Sequence, residues 1–288
     1  MWLAGARPRT LPAAVVPVAV GTAVAVGHGP DTPWWRAAVA LVVALALQVG
    51  VNYANDYSDG VRGTDDARRV GPLRLVGSGA VPAPAVKRAA TASFAVAGLA
   101  GAGLALAVGP EILVVGALCL VAGWTYTGGP RPYGYLGLGE VFVFVFFGLV
   151  ATVGTTYVLT EELSSLSFAC SVAVGLWATA LLVVNNLRDI PGDTAAGKRT
   201  LAVRVGDRRT RVVFVTMHLA ALLVAVMVTV EFERAAAFAL VGAPFAYLAV
   251  RAVWRGATGA ALIGVLEATG RVQLLSGLAM AAGVALTG

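Results

Sequence analysis

The sequence predicts an all-α integral membrane protein of nine transmembrane helices with its amino terminus in the cytoplasm. Three observations carry this. The 288 residues are 58% hydrophobic and only 12% charged, with a mean hydropathy of +0.82, far above what a soluble domain holds. The apolar residues come in windows of about 17 to 22, the length that crosses a hydrocarbon core as a helix. The charges collect in the connections between those windows.

The windows run over 11–27, 37–56, 89–108, 111–127, 139–158, 167–187, 212–230, 235–252 and 271–287. The first follows Arg7 and Arg9, lacks an Ala-x-Ala exit and is closely followed by others, which predicts a permanent span and not a cleaved export signal. The second turns polar at its end through Asn52, Asn55 and Asp56, and the sixth ends in Asn185 and Asn186. Stretches such as Val96 to Ala107 and Gly277 to Ala285 are rich in Gly and Ala, which suits close helix contact in lipid. Such faces serve a monomer and a dimer equally, so the oligomeric state is not legible. Cys119 and Cys170 lie inside apolar windows, where packing is their expected role.

With the amino terminus inside, 19 of the 21 basic residues fall on the cytoplasmic side, leaving only Arg36 and Arg234 outside, as the positive-inside rule requires. The net charge of +6 is scattered over short connections without interleaved aromatics. Nucleic acid is therefore not an expected partner, whereas membrane lipid headgroups and an anionic substrate are. The long connections 57–88 and 188–211 share the cytoplasmic side with both Asn/Asp clusters, and are expected to cover one site in a single domain, 1–288.

Carboxylates beside hydrocarbon are costly and mark function. In the first cluster Gln48, Asn52, Asp56 and Asp59 recur at spacings of four, four and three, which places them on one helical face with Asn55 on its flank. Carboxylate and amide oxygens suit Mg2+ whose remaining coordination comes from phosphate and water. Gly60 and Gly63 let the chain leave the helix; beyond them, Asp65 and Asp66 either fold back to the site or belong to a solvated loop. Arg74 and Lys87 fit both phosphate neutralisation and a purely topological role.

In the second cluster Asn185 and Asp189 share a face, and Asp193 joins them only if a break at Pro191-Gly192 turns it inward. Gly197-Lys198-Arg199-Thr200 lacks the rest of a nucleotide-binding loop. Arg188, Lys198 and Arg204 are instead suited to neutralising a diphosphate that leaves an allylic carbon.

The segments Asn52-Tyr53-Ala54-Asn55-Asp56-Tyr57-Ser58-Asp59-Gly60, Arg69-Val70-Gly71-Pro72, Tyr126 to Tyr135, Gly137-Leu138-Gly139-Glu140 and Asn185-Asn186-Leu187-Arg188-Asp189-Ile190 resemble the UbiA superfamily of intramembrane aromatic prenyltransferases, and within it the menaquinone branch. The resemblance covers essentially the whole chain. It implies nine helices around a central cavity, Mg2+, and transfer from a polyprenyl diphosphate to 1,4-dihydroxy-2-naphthoate with loss of CO2 and pyrophosphate, giving demethylmenaquinone. The setting it implies is a bacterial cytoplasmic membrane, with the site open to the cytoplasm.

The family's first motif is Asn-x-x-x-Asp-x-x-x-Asp. Asn52 and Asp56 match it, Gly60 stands at the third position, and Asp59 is the neighbouring acid. The metal ligands implied are Asn52, Asp56, Asp59, Asp189 and Asp193. Tyr126 and Tyr133, with Tyr135, either flank the acceptor ring or the allylic cation, or form an interfacial belt; Glu140 is placed to orient a hydroxyl or a basic side chain. Two other functions compete. One is prenylation of a different aromatic acceptor. The other is cation-coupled transport, which midplane carboxylates would favour over clusters at one face.

Overall fold

The computed structural model describes residues 1–27, 31–64, 73–232 and 234–287, and their regular structure is helical throughout. Prolines stand at or just before many helix starts, where the missing N–H costs no intrahelical bond. The chain begins with α1 (Trp2–Ala6), a 3-10 turn (Pro8–Thr10) and α2 (Pro12–Val26), followed by α3 (Trp34–Val61), α4 (Ala83–Ala107) and α5 (Glu111–Thr125). A 3-10 turn (Tyr133–Leu136) leads into α6 (Gly139–Val143), which continues through a π-helical segment (Phe144–Val150) into α7 (Ala151–Thr160). Then come α8 (Ser165–Ala195), the short α9 (Leu201–Val205), α10 (Asp207–Phe232), a 3-10 segment (Ala236–Gly242) leading into α11 (Ala243–Trp254), and α12 (Ala261–Leu286).

Each of the nine windows falls on a helical segment, but length and apolarity alone do not make all nine of them spans. Among the described residues seven helices are long and apolar enough to cross a membrane; an eighth span would be the pair Trp2–Thr10 and Pro12–Val26, bent by 48°. The bend falls where Pro8 and Pro12 interrupt the backbone ladder. α5 has 15 residues, about 22 Å at helical rise against a core of about 30 Å, so length alone does not make it a span.

Contacts between connections fix which ends lie together. At one end Arg36 fastens the start of α3 to the ends of α4 and α7, donating to Ala107 O at 3.0 Å, Val158 O at 3.1 Å and Glu161 Oε1 at 2.8 Å. At the other end Arg9 meets Glu267 at 2.8 Å, and Arg211 reaches the carbonyls of Val253 and Ala257 at 2.7 and 3.0 Å. The carboxyl ends of α3 and α8, with their Asn/Asp clusters, share this second end. α8 does not break at Pro191 but runs on to Ala195. One lost hydrogen bond near the last turn is outweighed by the packing of a largely buried helix, and Asp193 stays on the helix as a buried residue.

Small residues set the helix spacing around α8. A Cβ on Gly148 would lie 2.6 Å from Gly175 Cα, and one on Gly175 would lie 2.8 Å from the Phe144 ring. The π-helical segment sits at this contact, where an extra residue per turn realigns the neighbouring side chains. Gly148→Ala must push backbone against backbone. The expected cost is about 1–3 kcal/mol, read as a lower thermal unfolding midpoint, with Gly154→Ala, whose added Cβ meets nothing within 4 Å, as the neutral comparison.

Candidate active site

A cavity of about 1420 Å³ opens where the two clusters meet. Its polar mouth carries Asn52, Asn55, Asp59, Arg74, Asn185, Arg188, Asp189, Asp193 and Lys198, and its depth is lined by small and apolar residues of α4, α5 and α7.

On α3, steps of about 100° per residue put Asn52, Asn55 and Asp59 within about 40° of Gln48, but Asp56 about 80° away. Gln48, Asn52, Asn55 and Asp59 line the cavity. Asp56 is fully buried behind it. Its Oδ2 accepts the Leu75 N–H and its Oδ1 the Val76 N–H, both at 2.9 Å, so it anchors the start of the segment leading to α4. The Asn-x-x-x-Asp-x-x-x spacing is also met three residues further on, by Asn55, Asp59 and Gly63, and all three line the cavity.

Gln48 and Asn52 spend their amide hydrogens on the N-terminal segment. Gln48 Nε2 donates to Thr10 Oγ1 at 2.9 Å, and Asn52 Nδ2 donates to Ala6 O at 2.9 Å and Thr10 Oγ1 at 3.0 Å. This brings Arg7, Pro8, Arg9 and Thr10 into the cavity wall, where no sequence motif places them. The visible signal was the run Arg7-Pro8-Arg9-Thr10-Leu11-Pro12, whose prolines stop the first helix from running straight.

On α8, the Arg188 guanidinium is clamped between its neighbours. Its Nε donates to Asp189 Oδ1 at 2.7 Å, and Nη2 to Asp189 Oδ2 and Asn185 Oδ1 at 2.8 Å each; the Arg188 side chain is 1% exposed. Asn186 donates to Glu140 Oε1 at 2.9 Å, joining α8 to α6. Asp193 lies between Thr200 Oγ1, 3.5 Å from Oδ2, and Lys198 Nζ, 3.9 Å from Oδ1.

Lys198 joins the two clusters. Its ammonium, 3.9 Å from Asp193, is also 3.5 Å from Asp59 Oδ2. Burial, the largest single influence, pulls the Lys198 pKa down, but Asp59, Asp193, Tyr135 and Asp189 together raise it above the ordinary lysine value, so the group stays cationic well into the alkaline range.

Of the remaining predicted residues, Arg74, Tyr126 and Tyr133 line the cavity. Lys87 and Arg204 do not: Lys87 lies exposed over the Tyr57 ring at 5.6 Å, and Arg204 packs beside Gly137 and donates to Arg199 O at 3.1 Å. Asp65, and the Arg69 to Pro72 segment, lie outside the described residues. Tyr133 is fixed by its hydroxyl bond to Ala122 O at 3.0 Å. Its ring stacks on Phe142 at 3.9 Å and leans on Tyr126 at 5.4 Å, and Phe142 is 6.0 Å from Phe146. Phe142 and Phe146 extend this aromatic wall; their four-residue spacing on one helical face was readable but unremarkable among so many apolar residues.

Among the described residues no three His, Cys, Asp or Glu side chains converge as a ready-made metal site. The donor chemistry nevertheless suits a hard divalent ion. Two carboxylates, one from each cluster, already turn oxygens toward the same positive charge on Lys198, and the amide groups of Asn55 and Asn185 stand at the same mouth.

Residues 14–264 match the model of the UbiA prenyltransferase family. The chain belongs to this family. Relatives in it include the 1,4-dihydroxy-2-naphthoate octaprenyltransferase of Mycobacterium tuberculosis, 49% identical over 99% of this chain and 96% of that protein. The protein of the same description from Escherichia coli is 40% identical over 73% of this chain and 70% of its own length. Among solved structures, a UbiA homologue of Aeropyrum pernix superposes with a TM-score of 0.70 at 18% identity, covering 96% of this chain and 97% of its own. A UbiA homologue of Archaeoglobus fulgidus bound to DMAPP and Mg2+ superposes at 0.67 with 16% identity, covering 99% of both chains. These two likenesses establish the UbiA fold.

Proposed function

We propose that this UbiA-family enzyme transfers a polyprenyl group from polyprenyl diphosphate to 1,4-dihydroxy-2-naphthoate, releasing CO2 and pyrophosphate and yielding demethylmenaquinone in its reduced, quinol form. The observation that carries the reaction class is the joining of Asp59 and Asp193 through Lys198 at the mouth of a long apolar cavity. A diphosphate fits the charged mouth, and its isoprenoid tail fits the apolar depth. The acceptor is inferred from the mycobacterial relative, which is 49% identical over 99% of this chain.

Asn55, Asp59, Asp189 and Asp193, with Asn52 and Asn185 beside them, are the oxygen donors suited to Mg2+, which when bound supplies positive charge against the diphosphate leaving group. Lys198, Arg188 and Arg74 add fixed positive charge at the same mouth. Asp56 serves this arrangement from behind, by holding the segment that carries Arg74. Tyr126, Tyr133 and Phe142 present an aromatic wall to the allylic carbon and the acceptor ring, and the cavity keeps competing water from the cation. The allylic carbon–oxygen bond breaks as a ring carbon attacks, and loss of the ring carboxylate as CO2 restores aromaticity. No oxidant takes part, so the product forms at the quinol level.

In the bilayer we place the amino terminus, the connections 57–88 and 188–211 and the site mouth on the cytoplasmic side of a bacterial membrane, because the basic residues concentrate there. α5 runs the full depth despite its length. Glu111 at its start accepts from Tyr157 at the far end, while Thr127 just past its finish donates to Asn55 at the site. With α5 and the bent α1–α2 pair both crossing, nine spans result.

Purified enzyme in lipid, given a polyprenyl diphosphate, 1,4-dihydroxy-2-naphthoate and Mg2+, should release pyrophosphate and CO2 in step with prenylated quinol. Preferential turnover of 4-hydroxybenzoate or homogentisate would assign the chain to a different acceptor.

A further inference from the structure

Behind Asp59, outside the cavity wall, stands a side chain that the reaction described above does not use. Tyr135 lies on the 3-10 turn Tyr133–Leu136, and its hydroxyl donates to Asp59 Oδ1 at 2.7 Å. The other oxygen, Oδ2, is the one that meets Lys198. Thr64 Oγ1 is 3.1 Å from the same hydroxyl; since Tyr135 gives its single hydrogen to Asp59, it accepts from Thr64. The ring is bracketed by two cations, Arg62 at 5.2 Å and Lys198 at 5.0 Å. Arg62 in turn donates to the carbonyls of Thr127 and Gly129. One side chain thus ties the end of α3, the connection after α5 and the loop after α8 to a single carboxylate.

We propose that Tyr135 is a positioning residue whose hydroxyl fixes the Asp59 carboxylate, so that Oδ2 faces the mouth where the diphosphate and its cation are received. The proposal rests on the reading that Asp59 serves the prenyl donor. Orientation matters because Gly63 occupies the next four-residue step, with only open space where its side chain would be. No second carboxylate on α3 continues that step into the cavity. An untethered Asp59 would turn about its contact with Lys198 and offer its oxygens in no fixed direction.

Tyr135→Phe removes the hydroxyl and keeps the ring between its two cations. The test measures binding of a non-cleavable prenyl thiodiphosphate, with and without Mg2+, to the full-length protein in lipid nanodiscs. It compares wild type, Tyr135→Phe, Asp59→Asn and the double variant. Tyr157→Phe, which loses a similar tyrosine–carboxylate bond to Glu111 at the opposite end, is the control. Tyr135→Phe should weaken Mg2+-dependent binding about tenfold, the size of one lost charge-assisted hydrogen bond, and raise the Mg2+ needed for half-maximal turnover similarly, with the acceptor KM unchanged. In the Asp59→Asn background it should add no further loss. Undiminished binding by Tyr135→Phe, or an equal loss with and without Asp59, overturns the proposal. If the wild type binds the analogue equally with and without Mg2+ and Asp59→Asn matches it, the donor reading fails first and the role of Tyr135 with it.

Discussion

Asp59→Asn should lower turnover by about two to three orders of magnitude while leaving the thermal unfolding midpoint nearly unchanged. Its neighbour should behave in the opposite sense. Asp59 is a carboxylate at the cavity mouth, held by Tyr135 and turned toward Lys198, so in the proposed role removing its charge weakens the seat for the cation that accompanies the donor. Asp56 accepts two backbone N–H groups from inside the fold. Asp56→Ala strands both, at a cost of about 1–3 kcal/mol for each buried donor, and should lower the unfolding midpoint by several degrees. What remains folded should still turn over measurably at saturating donor. Kinetics and thermal melts on the two variants, in the same lipid, check the contrast; equal loss of turnover with equal retention of stability would return Asp56 to the donor site.

Arg188→Ala is the second large effect. The guanidinium is almost wholly buried and bonds both Asp189 oxygens as well as Asn185. Removing it strips the forked pair from the Asp189 carboxylate, whose side chain is 13% exposed, and breaking a pair this buried typically costs about 3–5 kcal/mol. The expectation is a lower unfolding midpoint together with a fall in kcat/KM for the donor of about a hundredfold or more. Arg188→Lys should recover part of the donor affinity, because it restores the charge, but little of the stability, because an ammonium cannot reproduce the forked contact. Full recovery of both by lysine would mean that only the charge matters there.

The sequence was most legible where the physics is coarse. Length and apolar windows yielded the helices, since burial in lipid leaves few other arrangements. It was less legible where a turn of helix decides. Asn52 with Asp56 and Asn55 with Asp59 each match the first two positions of the same motif, with Gly60 and Gly63 at the third, and only the direction in which α3 faces α1 and the cavity separates them. Pro191 looked like a break because local preference says so, yet tertiary packing carried α8 through it. Lys87 and Arg204 were indistinguishable by charge from Lys198, but their connections turn them outward. The N-terminal segment was only half legible: its prolines mark a bend, but nothing local to Arg7 or Thr10 shows that Gln48 and Asn52 will reach for them.

The proposed reaction requires the two acid clusters to receive one diphosphate between them. Its most direct test is a structure of the full-length enzyme in lipid with Mn2+ in place of Mg2+ and a non-cleavable prenyl diphosphate analogue, with the metal located by anomalous scattering. The expected result is manganese bound by oxygens of Asp59 and of the Asp189–Asp193 stretch, the diphosphate between them, and Asp56 still bonded to Leu75 and Val76. Manganese at Asp56, or a diphosphate held by one cluster while the other stays paired within the protein, would contradict it.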